Sequence, residues 1–155
     1  MASAGNTPAP PCWSRTALPS PLGSRWQWDV TRPDQLALVR REIRRRLDRS
    51  PGLPDADSEA GERLLLAVEE LTSNGLRHGR LPVRAVITVA AGEWLLDVSD
   101  HAPAAPPTAV VDRDPALGGM GLQLTASLAT AHGWITVGDR KHVWACVPFS
   151  PLHAA

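Results

Sequence analysis

Glu70 and Asn74 stand four residues apart in the stretch ERLLLAVEELTSNGLRHG, residues 62–79. In a helix of 3.6 residues per turn, that spacing puts a carboxylate and a carboxamide on one face, one above the other. That pair is the proposed chemical centre. Further along, Asp100 ends an apolar run and opens a proline-rich segment. Gly119 and Gly121 then lead into a second helical pattern through GGMGLQL. Glycines that begin a helix allow close approach to its free N–H groups, which can receive phosphate oxygens. The combination is consistent with a nucleotide site, although the setting is neither a Rossmann turn nor a P-loop, and no Gly-Lys-Ser/Thr is present. Each piece alone also has an ordinary reading: a helix's wet face for Glu70 and Asn74, and a flexible capping turn for the glycines.

These groups need elements to hold them. Residues 62–79 contain no proline and end at a capping glycine, which predicts one helix of about four or five turns. Ahead of it, Ser24 to Val30 alternates, with Trp26, Trp28 and Val30 on one side, as a half-buried strand does. Thr31 is then placed to cap a helix in which Pro33 takes an early position. Leu36, Val39, Ile43 and Leu47 form that helix's apolar stripe, while Arg40, Arg41, Arg44, Arg45 and Arg46 take its other faces. The arginines read either as a solvated face or as a docking surface for an acidic partner. Pro51, Gly52 and Pro54 mark a loop, after which Asp57 or Ser58 can cap the next helix.

Val83 to Ala91 and Trp94 to Ser99 read as strands made antiparallel by the turn at Gly92. From His101 to Ala116 there are four prolines and no apolar periodicity, the mark of a functional lid or a disordered segment. Leu122 to Ala131 suits a packed helix, and Trp134 to Val137 and His142 to Val147 are two more strands turning at Gly138-Asp139. The expected fold is α+β: a two-layer α/β sandwich whose mixed, largely antiparallel five-stranded sheet is covered on one face by three helices.

The chain's 155 residues fit one domain, here residues 23–150, behind a tail of residues 1–22. Five prolines in that tail predict disorder, or a segment lying along the surface. Formal net charge is zero, which argues against an electrostatic nucleic-acid binder. The charge is uneven, with seven arginines between Arg32 and Arg49 and six acids between Asp55 and Glu70. Cys12 and Cys146 are not expected to pair or to hold a metal. With no run of eighteen apolar residues and no basic leader, a cytoplasmic protein without a membrane role is expected.

In this order and at these separations, the three pieces resemble the N, G1 and G2 boxes of the Bergerat-fold (GHKL) ATPases and kinases, the superfamily of gyrase, MutL and the histidine kinases. The strings VEELTSNGLRHG, DVSDHAP and GGMGLQL, with the closing Trp144-Ala-Cys-Val, are most similar to the stand-alone anti-sigma-factor serine kinases of the RsbW and SpoIIAB type. The similarity covers about Trp26 to Phe149. It implies ATP and Mg2+ as cofactors, with Asn74 as the metal ligand and Glu70 as the catalytic base. It further implies that Asp100 accepts from the adenine amino group and that Gly119 and Gly121 approach the phosphates beside Leu122 and Leu124. Arg77 and His78 are candidates for phosphate contact, though both also suit a helix C-terminus. Where the family has Asp-x-Gly this chain has Asp100-His101-Ala102, so Ala102 puts a methyl beside the base and implies modestly weaker binding. His101 reads as a lid surface residue.

The resemblance implies a serine/threonine protein kinase and anti-sigma regulator, with a sigma factor and a STAS-type anti-sigma-factor antagonist as partners. An ATP-gated binding switch without kinase activity is the alternative. A homodimer is compatible, with contact through Leu and Val of the first helix or the outer face of the first strand. An arginine-helix nucleic-acid binder is disfavoured by net neutrality. A membrane histidine kinase is not expected, because no transmembrane or phosphoacceptor helix precedes the domain.

Overall fold

The computed structural model describes residues 13–102, 107 and 120–150. Gly119, most of the segment expected as a lid, and Cys12 lie outside the described residues. The elements run β1 (Arg25–Val30), α1 (Gln35–Asp48), α2 (Glu59–His78), β2 (Val83–Ala90), β3 (Glu93–Asp100), α3 (Met120–Leu128), β4 (Ala131–Val137) and β5 (Arg140–Pro148). The strands form one sheet in the order β1-β2-β3-β5-β4, and all four pairings are antiparallel. The mixed, largely antiparallel sheet expected above is thus antiparallel throughout these strands.

The second helix is the element on which the others pack. Its start is fixed by Ser58, whose hydroxyl accepts from the Gly61 N–H at 3.0 Å. Glu59 and Glu62 in the first turn and Arg77 and His78 in the last complement its dipole. Leu64, Leu65, Val68, Leu71, Thr72 and Gly75 are buried in steps of three and four, so one face lies on the sheet. At Gly75 an added Cβ would sit 3.1 Å from a Val83 methyl, so glycine lets the helix approach β2 closely. Ser58 is one of the two caps the sequence offered, and the helix begins at Glu59, ahead of the stretch 62–79.

In α1 the expected stripe of Leu36, Val39, Ile43 and Leu47 is buried. Its start differs from expectation: Thr31 caps nothing, and the Gln35 side chain instead accepts from the N–H groups of Thr31 at 2.7 Å and Arg32 at 3.1 Å. Part of the arginine cluster is spent within the fold. Arg40 pairs with Glu69 of α2, Arg44 with Asp57 and Arg46 with Glu42, while the Arg46 guanidinium lies over the rings of Trp26 and Trp28.

The core lies between the helices and the face of the sheet carrying Val83, Ala85 and Ile87 of β2, Trp94, Leu96 and Val98 of β3, and Val143, Ala145 and Val147 of β5. The opposite face holds a smaller cluster of Leu95, Trp144 and Cys146. Toward the C-terminus, α3 ends at Leu128 rather than Ala131, and β4 begins at Ala131 rather than Trp134. Pairing decides this: Thr130 donates its N–H to the Cys146 carbonyl at 2.9 Å and Ala131 stands opposite Cys146, so the ladder with β5 overrides the helix preference of the alanines.

From Trp13 onward the proline-rich N-terminal segment runs along the domain. The Trp13 indole is 6% exposed, lies 4.6 Å from the His132 ring and donates to the Leu122 carbonyl at 3.2 Å. Ser14 and Thr16 then bond to both sides of Trp134, making a parallel bridge along the β4 edge. The Thr16 carbonyl accepts from the Trp144 indole, and Leu18 packs on the outer cluster. At Gly133 a Cβ would meet Thr16 at 2.8 Å, so that glycine admits the strap. Prolines at Pro19 and Pro21 forbid a regular ladder but do not prevent a chain from covering an edge.

Candidate functional site

Two other stretches of sequence close on α2 at separate points along its length. Near the helix's middle, Gly121 in the first turn of α3 faces Glu70 so closely that a Cβ there would fall on the carboxylate, 2.9 Å from its Cδ. At the helix's end, a Cβ on Gly79 would lie 2.5 Å from Asp100 Oδ2. Asn74, half-buried, stands one turn beyond Glu70 and between these two junctions. From Glu70 to Gly79 the helix axis advances roughly 13 Å, at about 1.5 Å per residue. The expected acid, amide and helix-opening glycine are therefore strung along one element, with Asp100 at one end and the α3 N-terminus near the other.

Asp100 is 3% exposed. Its Oδ1 accepts from the Ala102 N–H at 2.7 Å and, more loosely, from the Arg80 N–H at 3.4 Å. Its Oδ2 faces the ammonium of Lys141 at 3.7 Å. The short bond to Ala102 bears on the Asp-x-Gly departure: no non-glycine residue among those described has a positive φ, so Ala102 fits without backbone strain. Its methyl is the whole of the difference. Gly79 closes the helix at φ −92° and ψ −173°, an extended conformation open to any residue. Glycine is favoured there by the nearness of Asp100 and of the Gly75 carbonyl, not by its own φ and ψ.

Burial pushes the Glu70 carboxyl above the usual carboxylate range, the neighbouring Glu69 adds to this, and Arg77 opposes it. Arg77 is exposed and its Nε donates to the Ser73 carbonyl of its own helix at 3.4 Å; His78 is exposed on the same last turn. Leu122 is 1% exposed and belongs to the core, so its side chain is closed to a ligand, whereas Leu124 is 40% exposed. His101 is bound to the β4–β5 turn: Arg140 donates to its Nε2 at 2.6 Å, which leaves the ring proton on Nδ1, facing Asp139 at 3.6 Å.

Lys141 was not legible as a site residue. It is the chain's single lysine among sixteen basic residues, which is the signal that marks it. Its pairing with Asp100 follows from register, since the two stand opposite one another on β5 and β3. Among the described residues no cluster of three or more His, Cys, Asp or Glu side chains is placed to hold a metal ion. A divalent ion at this site would rest on the Asn74 amide oxygen and on oxygens of its substrate, which is how Mg2+ is commonly held.

The domain is α+β, an antiparallel sheet with one helical layer, with Asp100 buried and Glu70 and Asn74 half-buried on α2. Residues 30–147 match the family model of the histidine kinase-like ATPase domain. The chain belongs to that family, and its fold is that of an ATP-binding domain. Among solved structures it is similar to the Acinetobacter baumannii histidine kinase AdeS, at 12% identity and a TM-score of 0.49, over 84% of this chain and 70% of that one. No curated protein matches. None of the helices among the described residues is long and apolar enough to cross a membrane.

Proposed function

We propose that this chain is a Mg2+-ATP-dependent serine/threonine protein kinase that phosphorylates a small STAS-type anti-sigma-factor antagonist in the cytoplasm and holds a sigma factor through a separate surface. The observation that carries the reading is the single spine: α2 sets Glu70 against the start of α3 and Gly79 against Asp100, with Asn74 between them.

The roles follow from the groups. Asp100, its Oδ1 held by the Ala102 N–H, turns Oδ2 to the exocyclic amino group of adenine, a donor that a carboxylate can only accept. Gly121 lets Glu70 close on the α3 N-terminus, whose N–H groups point toward negative charge. The Asn74 amide oxygen would hold Mg2+, which would supply charge neutralisation to the phosphates. Glu70, with its raised proton affinity, takes the proton of the attacking serine hydroxyl. The new bond joins that oxygen to the γ-phosphorus as the bond to the β-phosphate oxygen breaks; ADP leaves and Glu70 returns its proton to water.

The test is incubation with labelled ATP and the cognate antagonist. Label is expected on one serine or threonine of the antagonist, reduced at least about a hundredfold by Glu70→Ala and lost with Asn74→Ala. ATP binding without transfer would overturn the kinase, and partner regulation that survives Glu70→Ala but not Asn74→Ala would make the protein an ATP-gated switch.

A further inference from the structure

The Asp100–Lys141 pair is buried on both sides, with side-chain exposures of 4% and 3%. Burying two charges costs several kcal/mol of desolvation, which a pair recovers only with good geometry. Here the geometry is poor: 3.7 Å between Nζ and Oδ2 is beyond the range of a hydrogen bond. A pair held near but not bonded leaves Oδ2 able to accept from, and Nζ able to donate to, a third group presenting a donor and an acceptor side by side.

The choice of residue is also specific. Fifteen of the chain's sixteen basic residues are arginine, and the one lysine stands here. A guanidinium is a wide planar fork that would meet a carboxylate bidentately, whereas an ammonium is a compact donor on a flexible stem. Lys141 lies on the helix-facing side of β5 with Val143, Ala145 and Val147, directly opposite Asp100 in register. The pair thus sits at the end of β3, where the chain leaves the sheet, with the Asp100 carboxylate against Gly79 at the end of α2.

We infer that Lys141 reads the nucleobase together with Asp100: the carboxylate accepts from the adenine N6 amino group while the ammonium donates to the adjacent N1. The inference rests on the nucleotide reading proposed above and adds to it a residue that sets base specificity. Adenine offers a donor at position 6 beside an acceptor at position 1, and guanine carries the two in the reverse order, so a pair fixed in this order rejects guanine.

The experiment is a cycle of two nucleotides against two proteins, read as Mg2+-dependent affinity by calorimetry. The nucleotides are ATP and 1-deaza-ATP, in which N1 is replaced by C–H; the proteins are the wild type and Lys141→Met. The wild type is expected to bind 1-deaza-ATP about tenfold or more weakly than ATP, the usual loss when a charged donor is left unpaired. Lys141→Met, verified as folded by its cooperative melting, is expected to bind ATP as weakly as the wild type binds 1-deaza-ATP, and to make no distinction between the two. Equal affinity of the wild type for both nucleotides overturns the role given to Lys141 while leaving ATP binding intact, and this arm needs no variant. A preference for ATP that persists in Lys141→Met overturns it equally, since another donor would then serve N1. Absence of ATP binding by the wild type overturns the nucleotide reading and this inference together.

Discussion

Gly121 faces Glu70 across the junction of α3 and α2 so closely that no side-chain carbon fits between them. The chain thereby places a carboxylate of raised proton affinity at the opening of a helix, where N–H groups have no partner within the helix. Glycine at this point is a matter of space, set by a residue fifty-one positions earlier in the sequence.

Replacing Gly121 by alanine is expected to cost about 1–3 kcal/mol of stability, as overpacking does, and to abolish ATP binding. Chemical denaturation of the single variants and of Gly121→Ala combined with Glu70→Ala checks the cause. The double variant should recover most of the lost stability and none of the phosphoryl transfer, because the methyl then has no carboxylate to meet.

Glu70 gives a prediction with a sign. A carboxyl whose proton affinity is raised by folding favours the native state most when protonated, so its contribution is lost as pH rises from the unfolded pKa through the folded one. Glu70→Gln is therefore expected to melt higher than the wild type at pH 7, by a few degrees at most, and at the same temperature near pH 3. A lower melting temperature at neutral pH would contradict the burial of this carboxylate. Its catalytic cost would place Glu70 among sites where function is kept at the expense of stability.

The N-terminal strap should behave as part of the domain. Trp13→Ala is expected to destabilise by about 3–5 kcal/mol, the usual range for emptying a buried aromatic site. Trp13→Phe keeps the ring against His132, loses the bond to the Leu122 carbonyl and should cost less, about 1–2 kcal/mol. Urea unfolding of both variants measures this. A Trp13→Ala protein as stable as the wild type would show that the strap contributes nothing.

Cys146 is buried on the outer face of β5, and burial with the nearby Glu93 pushes its thiol up to about 11. In a Cys12→Ser background it is the single thiol. Its reaction with a disulfide reagent at pH 7.5 is expected to be at least about a hundredfold slower in the native protein than in urea, since both thiolate fraction and access are low. Rapid native labelling would mean that the strap and Leu18 do not cover this face.

Asn74→Ala separates the site from the scaffold. The amide is half-buried on the face of α2 turned from the apolar stripe, so its loss is expected to change stability by less than about 1 kcal/mol while removing Mg2+-dependent ATP binding. Thermal melts with and without Mg2+-ATP read both effects: the wild type should gain melting temperature from the ligand, and the variant should gain none.

The sequence alone determined what local periodicity and spacing can carry. Leu36, Val39, Ile43 and Leu47 marked α1, the alternation from Trp26 to Val30 marked β1, and Glu70 with Asn74 marked one face of α2, because 3.6- and 2-residue periods are written in consecutive residues. Burial of Trp13 depended on a contact with Leu122, more than a hundred positions away, and the opposition of Asp100 and Lys141 depended on the register of β3 on β5. The early end of α3 was likewise imposed by pairing with β5. Even Gly79, which reads as an ordinary helix cap, is favoured by the acid brought against it from β3. Such relationships have no periodic trace: they arise only when the sheet has closed and non-local residues compete for the same few ångströms.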